Sequence, residues 1–355
     1  MMQTQIVSLL NGWISEMLTE CGRTKVSRFS VAGNTVMCHL LMGISPEKLG
    51  KAPFMPDEYF GRAFNPLDIG LENCQAMIIF PAVSGFVGGD ITAGMMETVN
   101  CNELTLYLDI GTNGEMALGK GDRYVCCATA AGPAFEGAQI ELGMLASKGA
   151  VDKVWLEGRR IKYSVIGNDR PVGLCGSGLI DALAVLLKAG IIDENGTILS
   201  GQELPILFRS YVFEVEAEEA AQSTEPSLAV HIAPGVYITQ EDIRKLQLAK
   251  GAIAAGIEVL FKEYGCMPCN IDVLTFAGGF GNYIDKASAA AIGLFPPELL
   301  DKAKEVGNAA GNGAVSAALS QEAWERALEI SGDMRYIELA SYPHFDEMYV
   351  EHMNF

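Results

Sequence analysis

Two glycine-rich stretches hold the residue types that phosphate chemistry needs. Asp109-Ile-Gly-Thr-Asn-Gly-Glu115 follows an apolar run, and its Asn113-Gly114 pair is the strongest short-range hairpin signal in the chain. Gly111 and Gly114 allow a backbone to come close to a ligand and turn N–H groups toward phosphate oxygens, while Thr112 and Asn113 add side-chain donors. Asp109 suits a hydrated Mg²⁺, which takes one or two carboxylates and keeps water. An ordinary Asn-Gly hairpin with an aspartate at its edge accounts for the same residues, so the motif alone leaves both readings open. The second stretch, Ala277-Gly-Gly-Phe-Gly281, ends a buried apolar run. Its Gly278, Gly279 and Gly281 could pass beneath the base and ribose of a nucleotide, although glycine turns after strands are common.

Three further features are weaker. Ala131-Gly-Pro-Ala-Phe-Glu-Gly137 sets Gly132 and Glu136 at a turn, where a glutamate is more often a cap than a base. Cys175-Gly-Ser-Gly178 opens a helix, either as an anion site or as a tightly packed helix start, and the second is favoured. Cys175 has no neighbouring histidine in the sequence and reads as an inert thiol. Cys266-Met-Pro-Cys269 is the one C-x-x-C, without the second pair that a zinc or cluster site needs. It reads as a metal-free turn.

The elements that must position these residues follow from periodicity. Residues 1–20 predict a helix with Ile6, Leu9, Leu10, Trp13, Ile14, Met17 and Leu18 on one face. Val26–Ala32 and Ala76–Phe80 predict strands, Val36–Met42 a short helix, and 43–73 a loop excursion. Pro81–Asp90 is a glycine-rich turn entering a helix. Leu104–Ile110, Glu115–Gly119 and Tyr124–Ala130 predict a three-strand meander. Ala134–Met144 predicts a helix, 151–166 a hairpin, and Gly176–Ala189 a helix. Glu214–Glu225 is an acidic run expected to be a solvated loop. Thr239, with Asp242 three residues on, starts a helix to Tyr264 that leads into a strand at Ile271–Ala277. The remainder is mostly helical, with a late strand at Tyr336–Ala340. Helix 1–20, strand 26–32 and turn Ala32-Gly33-Asn34 are echoed by helix 240–264, strand 271–277 and turn Ala277-Gly278-Gly279. The later copy has a meander before it. If the chain is two related halves, the first lacks its opening strands.

The chain has 355 residues, 49% hydrophobic, with 25 basic and 44 acidic side chains for a net charge of −19. Such a chain packs a core and repels both a phosphate backbone and an anionic membrane, so neither nucleic acid nor membrane is an expected partner. No apolar stretch is long enough to span a bilayer, and the N-terminus lacks the marks of a signal peptide. Nine scattered cysteines fit reduced thiols in the cytoplasm.

Taken together, the motifs resemble a known arrangement. DIGTNGE (109–115) resembles the second phosphate loop of the acetate and sugar kinase, heat-shock ATPase and actin superfamily, FAGGFG (276–281) its adenosine loop, and GNAAGNGAVSAAL (307–319) its second connecting helix. More narrowly, VAGNTVMCHLLMG (31–43), KAPF (51–54), AAGPAFEGAQIELGMLASKGAV (130–151), CGSGLIDALAVLLKAGIID (175–193), LAKGAI (248–253), FAGGFGNYID (276–285) and IGLFP (292–296) resemble the ATPase-like C-terminal domain of the reductive activators of corrinoid proteins. The resemblance implies an α/β fold of two related halves, the first incomplete, divided as residues 1–100 and 101–355. It implies ATP-driven return of a Co(II) corrinoid to Co(I), with ATP and Mg²⁺ as cofactors and a corrinoid protein as partner. Asp109 would be the catalytic, Mg²⁺-holding residue. Gly111, Thr112, Asn113 and Gly114 would hold phosphate, Gly278, Gly279 and Gly281 would approach adenosine, and Gly132 and Glu136 would line the cleft. No cysteine set for an iron–sulfur cluster is expected in this chain, so the ferredoxin-associated electron donor would lie in a missing domain or another chain. The first phosphate loop is also missing. The alternatives are a small-molecule kinase of the same superfamily, against which no first-half aspartate is placed as a base, and a non-catalytic module that binds a corrinoid protein.

Overall fold

The computed structural model describes residues 2–215, 227–281 and 283–355. The first hundred residues hold α1 (Met2–Glu20), β1 (Phe29–Val31), α2 (Thr35–Met42), β2 (Arg62–Phe64), β3 (Met77–Ile79) and α3 (Gly89–Thr98). Then come the meander β4 (Thr105–Ile110), β5 (Gly114–Lys120) and β6 (Arg123–Thr129), followed by β7 (Ala150–Glu157), β8 (Arg160–Val165), β9 (Gly173–Leu174) and α4 (Gly176–Lys188). β10 (Val212–Val215), β11 (Ser227–Ala233) and β12 (Val236–Thr239) precede α5 (Gln240–Tyr264) and β13 (Val273–Ala277). The chain ends with α6 (Gly278–Gly281), α7 (Lys286–Ala291), β14 (Ala303–Gly307), α8 (Ala309–Leu319), α9 (Gln321–Gly332), β15 (Met334–Tyr336) and α10 (Phe345–Glu351).

The main sheet runs β14-β13-β4-β5-β6-β15. β4, β5 and β6 are antiparallel neighbours, and β13 lies parallel to β4 with Ala277 opposite Asp109. Alternation along the strands sorts the side chains. Leu106, Leu108, Ile110, Met116 and Leu118 join the large core that includes α4 and α5 residues, whereas Tyr107 and Ala117 join residues of α3, α8 and α9. Three smaller sheets run β1-β3-β2, β8-β7-β9 and β10-β11-β12; the first has β1 parallel to β3 and contains no meander among the described residues.

α5 starts and ends where its sequence says it must. Thr239 accepts from the Asp242 N–H at 3.1 Å, the Asp242 carboxylate accepts from the Thr239 N–H at 3.0 Å, and Gly265 closes the helix at φ +80°. α8 and α9 come from the far end of the chain but pack on α3. A Cβ at Gly313 would collide with the Ala93 carbonyl, and Trp324 meets Phe80 edge-on with ring centroids 5.5 Å apart. Arg28 donates to the Ala317 carbonyl at 3.1 Å, and Ser316 donates to Glu97 at 2.6 Å.

Several expectations require correction. Ala134–Met144 is not a helix. After a 3₁₀ turn at Pro133–Glu136, Gly137 (φ +81°) and Gln139 (φ +65°) take left-handed conformations that no α-helix admits. α1 forms, but its apolar residues split. Val7 and Ile14 are buried and Leu10 and Leu18 pack beside them, while Leu9, Trp13 and Met17 are exposed. The apolar arc was too wide for one face. The late strand sits earlier, at Met334–Tyr336, parallel to β6, and Leu339–Ser341 is a 3₁₀ turn. Beyond Val215, the acidic run at 214–225 lies outside the described residues.

The α3–α8 seam gives a paired expectation. Gly313→Ala should lower stability by about 1–3 kcal/mol, because the added methyl overpacks a backbone contact. Gly12→Ala in α1, with open space around it, should raise stability by about 0.5–1 kcal/mol. Thermal melts of the two variants check both signs.

Candidate functional site

The carboxyl ends of β4 and β13 form one edge of the main sheet, and loops leaving parallel strand ends are where such folds place ligands. The hairpin 109–115 and the turn 278–281 therefore stand side by side although far apart in sequence. Gly278 has φ +80°, and a Cβ there would collide with Asp109 Oδ1. Only glycine lets this turn pass so close to the carboxylate. Gly279 has open space where a side chain would be, and residues 278–281 form a single helical turn. Within the hairpin, the Gly111 N–H donates to the Asn113 carbonyl at 2.9 Å, and Gly114 pairs with Thr129. Thr112 donates to Glu136 Oε1 at 2.6 Å, which ties the 133–136 turn to the hairpin. Gly132, at φ +77°, precedes that turn and has open space around its missing side chain. Every residue expected at the site thus lies on this edge or on a loop bound to it.

The structure adds residues that the motifs did not single out. β1 and β3 are also parallel, and the loops after them meet: the Asp90 N–H donates to the Gly33 carbonyl at 3.3 Å. Gly88 allows this approach, since a Cβ there would stand 2.6 Å from Asn34 Cα. Asp90, in the first turn of α3, then faces the main sheet. Asp109 and Glu115 are register partners on β4 and β5 and so share a face, with Tyr107 two residues behind Asp109. Three carboxyl groups from three elements, one of them from the first half, act on one another here. Burial, and then Asp90, pushes Asp109 up to about 6. Burial, then Asp90 and Asp109, pushes Glu115 up to about 8, against a weak hydrogen bond from Asn113 at 3.4 Å. Asp90 itself is raised by burial. Tyr107 is 0% exposed, and its hydroxyl has no hydrogen-bond partner. Burial and these three carboxyl groups raise its pKa.

Such a cluster calls for a cation. Among the described residues, no three His, Cys, Asp or Glu side chains converge closely enough to hold a metal ion directly. Mg²⁺ keeps most of its water and takes one or two carboxylates. Asp109 and a neighbour in the cluster could hold it, and it would supply positive charge next to phosphate oxygens. Asp90, from the first half, is a carboxylate whose charge acts on Asp109 and Glu115. Its signal was in the sequence, as the acid following Gly88-Gly89 at a helix start, but only the packing of α3 on the sheet turns it toward Asp109. Two other motifs are structural. A Cβ at Gly178 would collide with the Val151 carbonyl, so Cys175–Gly178 is a tight helix–strand contact. Cys266 and Cys269 flank a 3₁₀ turn between α5 and β13.

Both shifted carboxyl groups bind protons more tightly in the folded protein than in an unfolded chain. Between about pH 4 and about 8 the folded state carries more protons, so their contribution makes stability fall as pH rises. In metal-free buffer the melting temperature should drop from about pH 5 to about pH 8, and Glu115→Gln should flatten that drop. Added Mg²⁺ should restore more of it at the higher pH. A wild-type profile matching that of the variant would refute the cluster's electrostatics. Tyr107→Phe, which removes a buried and unpaired hydroxyl, should raise stability by up to about 1–3 kcal/mol in the same melts.

A family model described as the RACo middle region matches residues 1–100, and one described as the C-terminal domain of RACo, the ASKHA domain, matches residues 103–355. The corrinoid activation enzyme RamQ of Eubacterium limosum is 36% identical over 347 residues, which cover 95% of this chain and 58% of that protein. The [Co(II) methylated amine-specific corrinoid protein] reductase of Methanosarcina barkeri is 28% identical over 315 residues, covering 77% of this chain and 52% of that protein. A solved structure of a reductive activator for corrinoid, iron-sulfur protein superposes with a TM-score of 0.80 at 35% identity, over 99% of this chain and 56% of that one. The chain thus spans a little over half the length of the relatives it matches.

Proposed function

This chain belongs to the RACo family, as its middle region followed by its C-terminal ASKHA domain, and on that premise we propose that it serves the ATP-dependent reductive activation of a corrinoid protein. The cobalt substrate goes from Co(II) to Co(I) by gaining one electron. This chain is the nucleotide-binding and partner-binding part, and the electron comes from an iron–sulfur donor in another domain or chain. One juxtaposition supports the reading: Asp109 abuts Gly278, and the charge of Asp90 from the first half acts on Asp109 and Glu115.

The roles follow from position. Asp109 holds Mg²⁺ through water. Gly111, Thr112, Asn113 and Gly114 donate to phosphate oxygens, Gly278, Gly279 and Gly281 lie against adenosine, and Gly132 and Glu136 line the cleft. Asp90 and Glu115 join Asp109 in organising the cation. Because Asp90 belongs to the first half (1–100) and the hairpin to the second (101–355), the charge between them biases the angle of the halves. Nucleotide state then selects between arrangements of the partner-binding surface. No described helix is long and apolar enough to cross a membrane, and all nine cysteines are unpaired. The reading takes the cytoplasm as the compartment. A second reading is phosphoryl transfer to a small molecule, which would need a base beside the acceptor hydroxyl.

The described residues hold one phosphate-type hairpin, and phosphoryl chemistry needs donors on both sides. One such donor is typically worth about 2.7–4 kcal/mol, a rate factor of about a hundred or more. These 355 residues should therefore bind Mg-ATP weakly and release phosphate negligibly. Supplying the segment that precedes this region in a relative should restore turnover, and Asp109→Ala should abolish what is restored. Brisk hydrolysis by these residues alone would show that the phosphate site is built from other groups. ATP-dependent phosphorylation of sugars or acyl acids would decide for the second reading.

A further inference from the structure

The two halves of the chain share a plan. In the second, α5 leads into β13, β13 pairs in parallel with β14, and α8 follows. In the first, α1 leads into β1, β1 pairs in parallel with β3, and α3 follows. The same number of residues separates α5 from β13 as separates α1 from β1, so the two helices can be set residue against residue. In that setting Leu9, Trp13 and Met17 fall on Ile253, Ile257 and Phe261. The first three are more than half exposed, and the last three are buried. Gly12 falls on Gly256. A Cβ at Gly256 would collide with Met116 on β5 and stand 3.1 Å from Thr129 on β6, while a Cβ at Gly12 would meet nothing within 4 Å. α5 needs its glycine to let two strands come close. α1 carries a glycine at the equivalent place, at a cost in helix stability, with nothing beside it.

The strands repeat the difference. β13 has β14 on one side and β4 on the other, and its residues are buried throughout. β1 has β3 on one side only, and its residues are half-buried. The Phe29 N–H donates to the Ala76 carbonyl at 2.8 Å, and the Phe80 N–H donates to the Val31 carbonyl at 2.9 Å, so Phe29 and Val31 bond toward β3. Alternation then turns the backbone N–H and C=O of Ser30 toward the open edge. An open edge invites a further strand, and the apolar stripe beside it needs a cover. We propose that the open edge of β1 and the Leu9, Gly12, Trp13 and Met17 stripe of α1 bind a three-stranded antiparallel meander of the β4–β6 kind, its first strand parallel to β1 and the other two against Gly12. Its source is the segment that precedes this region in the longer relatives. This chain spans a little over half their length, and its first hundred residues match a middle region. The docking does not depend on how the nucleotide edge is used.

The probe is the segment that precedes this region in the RamQ relative, expressed on a soluble carrier and titrated into the full chain without nucleotide, with the carrier alone as control. Binding should saturate, shift tryptophan emission to the blue and slow amide exchange at Ser30. Trp13→Phe should lose the emission change while the exchange protection persists. Gly12→Leu fills open space in the free chain, so its melting temperature should hold or rise. It should nevertheless weaken the segment about tenfold or more, because the leucine stands where the two strands must approach. Leu9→Lys should weaken binding through the same stripe. No saturation up to about 100 µM segment, equal binding by Gly12→Leu, or protection confined to other surfaces would each overturn the proposal. So would self-association of the free chain that Gly12→Leu abolishes, since the stripe would then belong to a second copy.

Discussion

Like charge gathered at the junction of the two halves is the constraint on which the rest of the structure turns. Burial opposes the ionisation of Asp90, Asp109 and Glu115, and repulsion from neighbouring carboxylates adds to it at Asp109 and Glu115. A fold that only had to be stable would not keep them together, since uncompensated carboxylates in low dielectric are costly. The arrangement makes sense when positive charge is imported. It also explains why the surrounding backbone is so closely fitted. Gly278 brings one turn against Asp109, and Gly88 brings the Gly33–Thr35 loop against the start of α3.

The same helix that delivers Asp90 also joins the halves. α3 lies on the main sheet with Gly94 against the Tyr107 hydroxyl, and small residues of α8 approach its backbone at Ala93 and Gly94. Backbone-to-backbone packing of this kind has little slack, because protein interiors deform in discrete steps rather than continuously. The first turn of α3, which carries Asp90, and its close packing against α8 thus belong to one helix.

Much of this was legible in the sequence, for reasons that differ by residue. The hairpin at Asn113-Gly114 and the capped start of α5 at Thr239 are local signals, settled by a few neighbouring residues. The family resemblance rested on combined blocks such as DIGTNGE and FAGGFG, within which Gly278 is required by its close approach to Asp109. Asp90 was passed over because its importance is non-local. Nothing within ten residues says that α3 will cross above Asp109. Ala134–Met144 misled in the opposite way. Its composition suits a helix, but Gly137 and Gln139 adopt left-handed backbone so that the 133–136 turn can reach Thr112. Tertiary demand overrode propensity there.

The two halves also differ in a way that periodicity could not separate. In the second half, α5 leads into β13 and lies over the β5–β6 part of the meander, so its apolar residues are covered almost all round. In the first half, α1 leads toward β1, but β1 pairs only with β3, and α1 keeps Leu9, Trp13 and Met17 in solvent. A helix with a second apolar stripe facing water, beside a strand with a free edge, is a poor end state for a monomeric surface. The first half compensates from elsewhere. Its sheet draws α8 and α9 from the far end of the chain through Arg28 to Ala317, Ser316 to Glu97, and Trp324 against Phe80. Its stability therefore rests on long-range contacts with the C-terminal helices, and those same helices form the seam behind the carboxyl cluster. Loosening the first half and disturbing the site are, on this architecture, the same event.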